Sequence, residues 1–163
     1  TIMAVGAATV AWGDDSSTVG STVHETLTGF EEDPLVRSTT GNGQFQIHID
    51  EAAQEISYEL SYASLEGSVL QAHIHVGGQA QSGGISVFLC TNLGNGPVGT
   101  QLCPAAPATV SGTIRPVDVI GPADQGVTAG QFGELLAAIR AGKTYANVHS
   151  SLYQGGEIRA QID

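Results

Sequence analysis

Basic residues are scarce in this chain. Five lysines and arginines face 16 aspartates and glutamates, which gives the 163 residues a net charge of −11. Such a surface repels polyanions, so we expect no nucleic-acid partner. No apolar run is long enough to cross a bilayer, so we expect no membrane insertion. The chain also lacks a GxSxG nucleophile elbow, a phosphate-binding loop, a CxxC pair and an EF-hand loop, which excludes the protein classes that those motifs define.

Material for a folded core is plentiful. Hydrophobic residues make up 41% of the chain and charged residues 13%, a balance that excludes a disordered tail. About nine short segments alternate between apolar and polar residues, with turn residues between them. The chain shows no β–α–β alternation and no internal repeat. The pattern predicts an all-β fold, an antiparallel sandwich or barrel, in a single domain over residues 21–163.

One segment has helical periodicity and predicts a short amphipathic helix near residues 129–141. Its apolar stripe consists of Phe132, Leu135, Leu136 and Ile139. Thr128 and Gln131 match a capping box at its start, and Gly142 occupies the position of a C-terminal glycine cap. We expect this stripe to cover an open end or face of the strands.

The chain begins with twelve almost entirely apolar residues, TIMAVGAATVAW, followed by a small, polar linker that ends at residue 20. The apolar segment is either the end of a signal-peptide core or a mature N-terminal strand. We favour the strand, because the segment has no initiator methionine and no basic start. Such a strand packs on its own domain or completes the sheet of a neighbouring subunit. Repeated head to tail, the second contact would build a filament.

The two cysteines, Cys90 and Cys103, flank a loop that contains glycine, asparagine and proline. Two cysteines around such a loop, without a CxxC motif, predict a disulfide and an oxidising compartment. The alternative is a pair of free buried thiols.

The strongest candidate for a binding site is the segment AHIHV at residues 72–76. Side chains at i and i+2 of a strand point the same way, so His73 and His75 project together and can converge on one metal ion. The alternative is a pair of solvent-facing histidines. If the strand that carries His149 lies beside this one, three imidazoles meet, a set that suits copper or zinc far better than calcium or magnesium.

Other polar residues give weaker signals. His24 and His48 alternate away from apolar neighbours and are expected to be exposed. Glu25 shares a face with apolar residues, so it lies at a strand end, pairs with an arginine or adds a ligand oxygen. The cluster Glu31-Glu32-Asp33 is interpreted as solvated loop charge. Glu157 and Arg159 share one strand face and are expected to form an exposed or partly buried pair.

Four segments together resemble the chordin-type (CHRD) domain family, of the bacterial or archaeal secreted type. They are TLTGFEEDP (26–34), QAHIHVG (71–77), VFLCTNLGNGPVGTQLCP (87–104) and YANVHSSLYQGGEIRAQI (145–162). The resemblance implies an immunoglobulin-like antiparallel β-sandwich or barrel, with a Greek key similar to that of Cu/Zn superoxide dismutase. It also implies a secreted protein, extracellular or on the cell surface.

The resemblance places the characteristic histidines of the family on His73, His75 and His149, and its acidic residue on Glu32. Copper is the metal that this histidine pattern suggests, with zinc as the alternative. Dismutase activity is not expected, because that enzyme needs more histidine ligands and a zinc-binding loop. The chain departs from the family at Asp33, where an apolar residue is more common.

Three functional hypotheses follow. The first is a secreted, non-catalytic module that binds copper through three histidines. The second, compatible with the first, is a structural subunit of an extracellular homopolymer or filament joined by residues 1–12. The third is a copper oxidoreductase, which we place last because the sequence supplies neither an evident substrate pocket nor a general base.

Overall fold

The computed structural model describes residues 20–36 and 40–163. Within them the chain forms eight strands and one α-helix, α1 (Phe132–Arg140), between the sixth and seventh strands. The strands are β1 (Ser21–Thr28), β2 (Asn42–Asp50), β3 (Glu55–Ala63), β4 (Val69–Val76), β5 (Ile85–Thr91), β6 (Ala108–Ile114), β7 (Thr144–Ser150) and β8 (Ile158–Ile162). The predicted all-β fold with one short helix is therefore confirmed. The proposed N-terminal strand, residues 1–12, lies outside the described residues.

The strands form a single antiparallel sheet in the order β5-β4-β7-β8-β1-β2-β3-β6. The two edge strands, β5 and β6, approach each other, so the sheet curls into a nearly closed barrel. On the inside, Tyr58 of β3 reaches across the remaining gap, and its hydroxyl donates a hydrogen bond of 3.0 Å to the carbonyl of Leu89 on β5. We call this gap between β5 and β6 the seam.

The alternating sequence pattern determines which side chains enter the barrel. Along β2, exposed and buried residues alternate without exception, and Phe45, Ile47 and Ile49 point inward. Their counterparts on the other strands join them in one apolar core. Burial of this surface is the main favourable contribution to folding, at about 25 cal/mol per Å² of apolar area.

Helix α1 closes one end of the barrel. Its four apolar residues, predicted from their spacing, all join the barrel core. At its last turn Arg140 pairs with Glu51 in the turn between β2 and β3, so the helix lies over the end where β2 finishes and β7 begins. No helix among the described residues is long and apolar enough to cross a membrane.

The two ends of α1 differ in how well the sequence predicted them. The helix begins at Phe132, and the side chain of Gln131 makes no capping hydrogen bond. The expected capping box is wrong, because the carboxylate of Glu134 accepts from the backbone N–H of Thr128 at 2.7 Å instead. At the other end Gly142 has a φ of 62°, and the following N–H, of Lys143, returns to the carbonyl of Ala138, as a glycine cap requires.

A disulfide joins Cys90 at the end of β5 to Cys103 in the following loop, as predicted. It fastens this loop to the barrel. The amide side chain of Asn92 reinforces the attachment, because it donates to the carbonyls of Val69 and Cys103 and accepts from the N–H of Cys103. The loop is therefore held at both of its ends.

We predict that replacing both cysteines by alanine lowers the free energy of unfolding. The cysteines are 13 residues apart, and closing a loop of about that length is worth about 3 kcal/mol in the chain-entropy account. Urea unfolding measures this loss. The wild-type protein in a reducing agent should lose a similar amount of unfolding free energy. The stability of the variant should not change when the reductant is added. A loss below about 1 kcal/mol would contradict this role.

Candidate metal centre

The three candidate histidines lie on the outer face of the barrel. On β4, Ala72 and Ile74 belong to the core, so His73 and His75, which alternate with them, point to the opposite face. β4 pairs with β7 in a register that sets His149 opposite Gln71 and Asn147 opposite His73. His149 is therefore the diagonal neighbour of His73 on the same face.

This pairing brings the three imidazoles into one cluster. Each ring offers a nitrogen, and the three nitrogens lie within 4.8 Å of one another. Nδ1 of His73 and Nε2 of His149 are 3.1 Å apart. The side chains are covered by neighbouring loops and by β5, with exposed fractions of 0% for His73 and 6% for His75 and for His149. The strands that carry the histidines, β4 and β7, are therefore adjacent, a point that the sequence alone did not decide.

Two of the rings are oriented by backbone carbonyls. Nδ1 of His75 donates a hydrogen bond of 2.9 Å to the carbonyl of Gly83, and Nδ1 of His149 donates one of 2.8 Å to the carbonyl of Gln154. In the neutral ring a proton on Nδ1 leaves the lone pair on Nε2. This second hydrogen bond is the arrangement by which proteins usually fix metal-binding histidines.

The cluster also contains nitrogens that lack a partner. Nε2 of His73 and Nε2 of His75 are buried and have no hydrogen-bond partner within the described part of the chain. Buried polar atoms are nearly always satisfied in folded proteins, since leaving one unpaired costs about 1–3 kcal/mol. A metal ion or a water at Nε2 of His75 would satisfy that atom, whereas the nitrogen of His73 that faces His149 is Nδ1.

Burial keeps the three rings uncharged at neutral pH. Burial lowers the pKa of His73 to about 2, with further lowering by His149 and His75. Burial also lowers the pKa of His75 to about 4, although its hydrogen bond to Gly83 acts in the opposite direction. The pKa of His149 is lowered for the same reason. Metal binding requires neutral imidazoles, so the cluster is ready to bind without releasing protons.

The donor set matches a nitrogen-preferring transition metal. Nδ1 of His73 and Nε2 of His149 are hydrogen-bonded to each other at 3.1 Å; an ion that replaced this hydrogen bond, with bonds of about 2.05 Å, would hold the two nitrogens at an angle of about 100°. The histidine group contains no carboxylate among the residues that the structure describes. Three imidazoles without oxygen ligands suit copper or zinc and do not suit calcium or magnesium.

A stack of three groups supports one side of the cluster. The ring of Tyr145 lies parallel to that of His75, with centroids 4.8 Å apart and an interplanar angle of 3°. The guanidinium of Arg159 lies over the Tyr145 ring at 3.4 Å. The Tyr145 hydroxyl also accepts the N–H of Gly83, whose carbonyl holds His75. Tyr145 therefore fixes His75 both by stacking and through Gly83.

The other side of the cluster is formed by Phe88 on β5. Its ring meets that of His73 edge to face, with centroids 4.4 Å apart. The pairing of β4 with β5 shifts register just before His73 and again just before His75. Such irregularities in a ladder redirect neighbouring side chains, and they are common beside binding sites.

The structure corrects the interpretation of Glu157 and Arg159 as an exposed or partly buried pair. Both are buried, at 0% and 1% exposed. The carboxylate of Glu157 accepts from the backbone N–H of Glu66 at 2.6 Å and from that of Gly67. Arg159 donates to the carbonyl of Gly78 at 2.7 Å. Backbone hydrogen bonds in the covering loops account for the burial of these charges.

Glu32 is buried as well, which makes its interpretation as a solvated loop charge wrong. Its carboxylate packs against Gly156, where any side chain would collide with it and where φ is 136°. Burial raises the pKa of Glu32 to about 7, despite the nearby Arg159 and a hydrogen bond from Asn147. Asn147 also lies beside His75. Glu32 thus joins the cluster through Asn147 and is not one of the grouped ligands.

The remaining candidates lie apart from the cluster. Glu25 on β1 is half-buried and lies beside the backbone of Asp163, and burial raises its pKa. His24 and His48 are exposed, as predicted, and His48 contacts the hydroxyl of Thr22. Sequence reasoning missed the supporting roles of Tyr145 and Phe88. For Tyr145 a signal was present, since it lies four residues before His149 on the same strand face.

The architecture and the site together define a disulfide-bonded, all-β domain of the extracellular type, with a histidine cluster on the outside of its barrel. The family model of the CHRD domain matches residues 23–162, and the chain belongs to that family. The matched range contains the three clustered histidines and both cysteines. No curated protein and no solved structure gives a significant match.

Lowered histidine pKa values predict how the metal-free protein responds to acid. Below pH 6.5, which is the ordinary pKa of histidine, these three histidines bind protons in the unfolded chain but not in the folded cluster. The free energy of unfolding therefore falls with falling pH, by at most about 1.4 kcal/mol per pH unit for each histidine. Glu32 opposes this trend, because its raised pKa lets the folded state hold a proton between pH 7 and 4.5.

Urea unfolding with a chelator present, at several values from about pH 7.5 to 4.5, tests this prediction. The wild type is compared with His73→Gln/His75→Gln, which removes two titrating rings and leaves Glu32 in place. The variant should show the smaller loss of stability on acidification. Equal losses in the two proteins would show that these rings titrate normally.

Proposed function

We propose that this protein is a secreted, non-catalytic module that binds one copper ion through His73, His75 and His149. The observation that carries the proposal is the orientation of the rings. Two imidazoles are held at Nδ1 by backbone carbonyls, and the three offered nitrogens lie within 4.8 Å of one another on a buried face. Neutral, pre-oriented rings are what a structural or carrier site for a transition metal needs.

Copper is favoured over zinc by the general order of metal affinities. For a given set of nitrogen ligands, Cu²⁺ binds more tightly than the other divalent first-row metals. The site offers imidazoles and no cysteine thiolate, because both cysteines are in the disulfide. A thiolate would have shifted the preference towards zinc or Cu⁺. Zinc, which also accepts three imidazoles, is the alternative occupant.

Secretion is supported by two independent features. The protein belongs to a family of extracellular-type domains, and it carries a disulfide of the kind that persists in oxidising compartments. Free copper in such surroundings would be bound without competition from cytosolic thiols. Roles in sequestration, delivery or stabilisation are all consistent with a closed site.

Elemental analysis of the desalted protein, after exposure to equal amounts of copper and zinc, tests the proposal. We expect about one copper per chain in the wild type, because one cluster supplies the ligands. His73→Ala/His75→Ala should lose it. Circular dichroism shows whether the variant is folded, and His149→Gln provides a milder second test.

The matched control is His24→Ala/His48→Ala, which also removes two histidines but takes them from exposed positions outside the cluster. This control should retain its copper. Copper that survives in the cluster variant, or copper lost equally in the control, would refute the assignment. If the protein binds zinc in place of copper, the three histidine ligands stand as assigned and only the identity of the metal is revised.

A second candidate function, compatible with the first, is a subunit of an extracellular assembly joined by residues 1–12. The specific observation in its favour is β6, an edge strand that pairs only with β3 in the described sheet. Open strand edges are the usual sites at which another strand is added.

The hypothesis of a copper oxidoreductase has less support. Its substrate would have to reach the ion, yet the three imidazoles are at most 6% exposed. Phe88 and the Tyr145–Arg159 stack cover two sides. This enclosure favours binding over turnover.

A further inference from the structure

Asn147 on β7 is a further polar side chain on the buried face that carries the histidine cluster. It lies two residues before His149 on the same strand face, and the register of β7 with β4 sets it opposite His73 and diagonally next to His75. Opposed residues of an antiparallel pair have Cβ atoms about 4.5–5.5 Å apart. Asn147 is only 2% exposed, so it borders the cluster within the enclosed region.

The side-chain oxygen of Asn147 is an orphaned buried atom. Oδ1 has no hydrogen-bond partner among the residues that the structure describes, and the same holds for Nε2 of His75. Buried amide oxygens are nearly always satisfied in folded proteins, so an orphaned one beside a cluster of imidazoles points to a ligand.

Glu32 determines which way the amide of Asn147 is turned. Glu32 is buried and accepts a hydrogen bond from Asn147. An amide donates only through its nitrogen, so the nitrogen faces the carboxylate and leaves the oxygen for the other side. Burial lowers the pKa of His75, but the contact with Asn147 acts in the opposite direction, as an acceptor beside an imidazole does. The oxygen of Asn147 therefore faces the rings.

Oδ1 of Asn147 and Nε2 of His75 cannot satisfy each other. His75 donates from Nδ1 to the carbonyl of Gly83, so in the neutral ring Nε2 carries a lone pair. The amide oxygen also carries only lone pairs. Two acceptors side by side in a buried region are unfavourable, and a cation that binds both removes the conflict. Protonation of the ring would do the same, but burial keeps the ring neutral at neutral pH.

An amide oxygen is compatible with the metal that the imidazoles select. In some copper sites the side-chain oxygen of a glutamine is a weak axial donor beside histidine ligands. Such a donor is neutral and weak, so it leaves the preference for copper or zinc over calcium or magnesium unchanged. Oxygen is also a harder ligand than sulfur, which suits Cu²⁺ better than Cu⁺.

We infer that Asn147 supplies a fourth ligand, its side-chain oxygen, to the ion held by the three histidines, and that Glu32 is the positioning residue that turns this oxygen towards the ion. The inference rests on the proposed function, because it requires an ion at the cluster. It gives a role to Glu32, which is buried beside the cluster without being one of the grouped ligands.

Copper binding and electron paramagnetic resonance of Asn147→Leu test the ligand, with Cu²⁺ alone as the probe. Leucine is close to asparagine in shape and has no donor atom. The variant should still bind about one copper through the three histidines, at least about tenfold more weakly, as is usual when a supporting group at a metal site is lost. Its Cu²⁺ resonance and visible absorption band should shift, because the ion loses an oxygen donor.

The measurements are made at about pH 8, above the pKa of Glu32 at about 7, so that its carboxylate is ionised. Circular dichroism shows whether each variant is folded. Asn147→Asp keeps an oxygen donor at the same place and should bind copper more tightly than Asn147→Leu. Equal affinities of these two variants would contradict the assignment of the oxygen as a ligand.

The matched control is Gln71→Leu. Gln71 also carries an amide on this strand face and lies opposite His149, but its oxygen already accepts a hydrogen bond of 3.0 Å from Asn95. The control should keep the copper affinity and the spectrum of the wild type. The inference is overturned if Asn147→Leu also keeps both, or if the control changes as much as Asn147→Leu does. Either result leaves the three histidines as ligands, whereas a wild type that binds no copper would refute the proposed function itself.

Glu32→Gln tests the positioning role. The new side chain can donate as well as accept, so the amide of Asn147 is free to turn either way. The resonance should contain a second component that resembles the spectrum of Asn147→Leu. In a chain that already carries Asn147→Leu, the same substitution should leave the spectrum unchanged, because Glu32 acts through Asn147. A single wild-type component in Glu32→Gln, or a further shift in the double variant, would overturn this role.

Discussion

The antiparallel pairing of β4 with β7 is the contact on which the histidine cluster depends. It sets His149 diagonally next to His73 and leaves all three imidazoles on the outer face, while Ala72 and Ile74 enter the core. A shift of the register by one residue would turn His149 inward and separate it from the other two. The barrel thus supplies rigid backbone positions, and short loops complete the enclosure of the histidine cluster.

Those loops convert an exposed strand face into a buried one. Carbonyls of Gly83 and Gln154 orient two rings, and the Tyr145 ring stacks on His75 beneath the guanidinium of Arg159. The charged groups nearest the cluster are kept behind other side chains, Arg159 behind Tyr145 and Glu32 behind Asn147. The rings remain neutral because burial, more than any neighbouring charge, lowers their pKa values.

The sequence was sufficient for those features that depend on local periodicity. Alternation along β2 and the spacing of the apolar residues in α1 predicted their buried faces, and Gly142 predicted the helix end. Burial of Glu32 and Arg159 was not predictable in the same way, because it depends on loops that fold over the strands from distant parts of the chain. The same limit applies to Phe88, whose position against His73 follows from the irregular pairing of β4 with β5.

We propose that these three side chains hold one ion together. Copper K-edge X-ray absorption of the loaded protein tests it most directly, because scattering from imidazole rings distinguishes histidine nitrogens from water or carboxylate oxygens. We expect three imidazole nitrogens at about 2.0–2.1 Å from the ion. A spectrum with one imidazole, or with oxygen ligands alone, would mean that copper binds elsewhere and that the cluster is only a packed group of neutral rings.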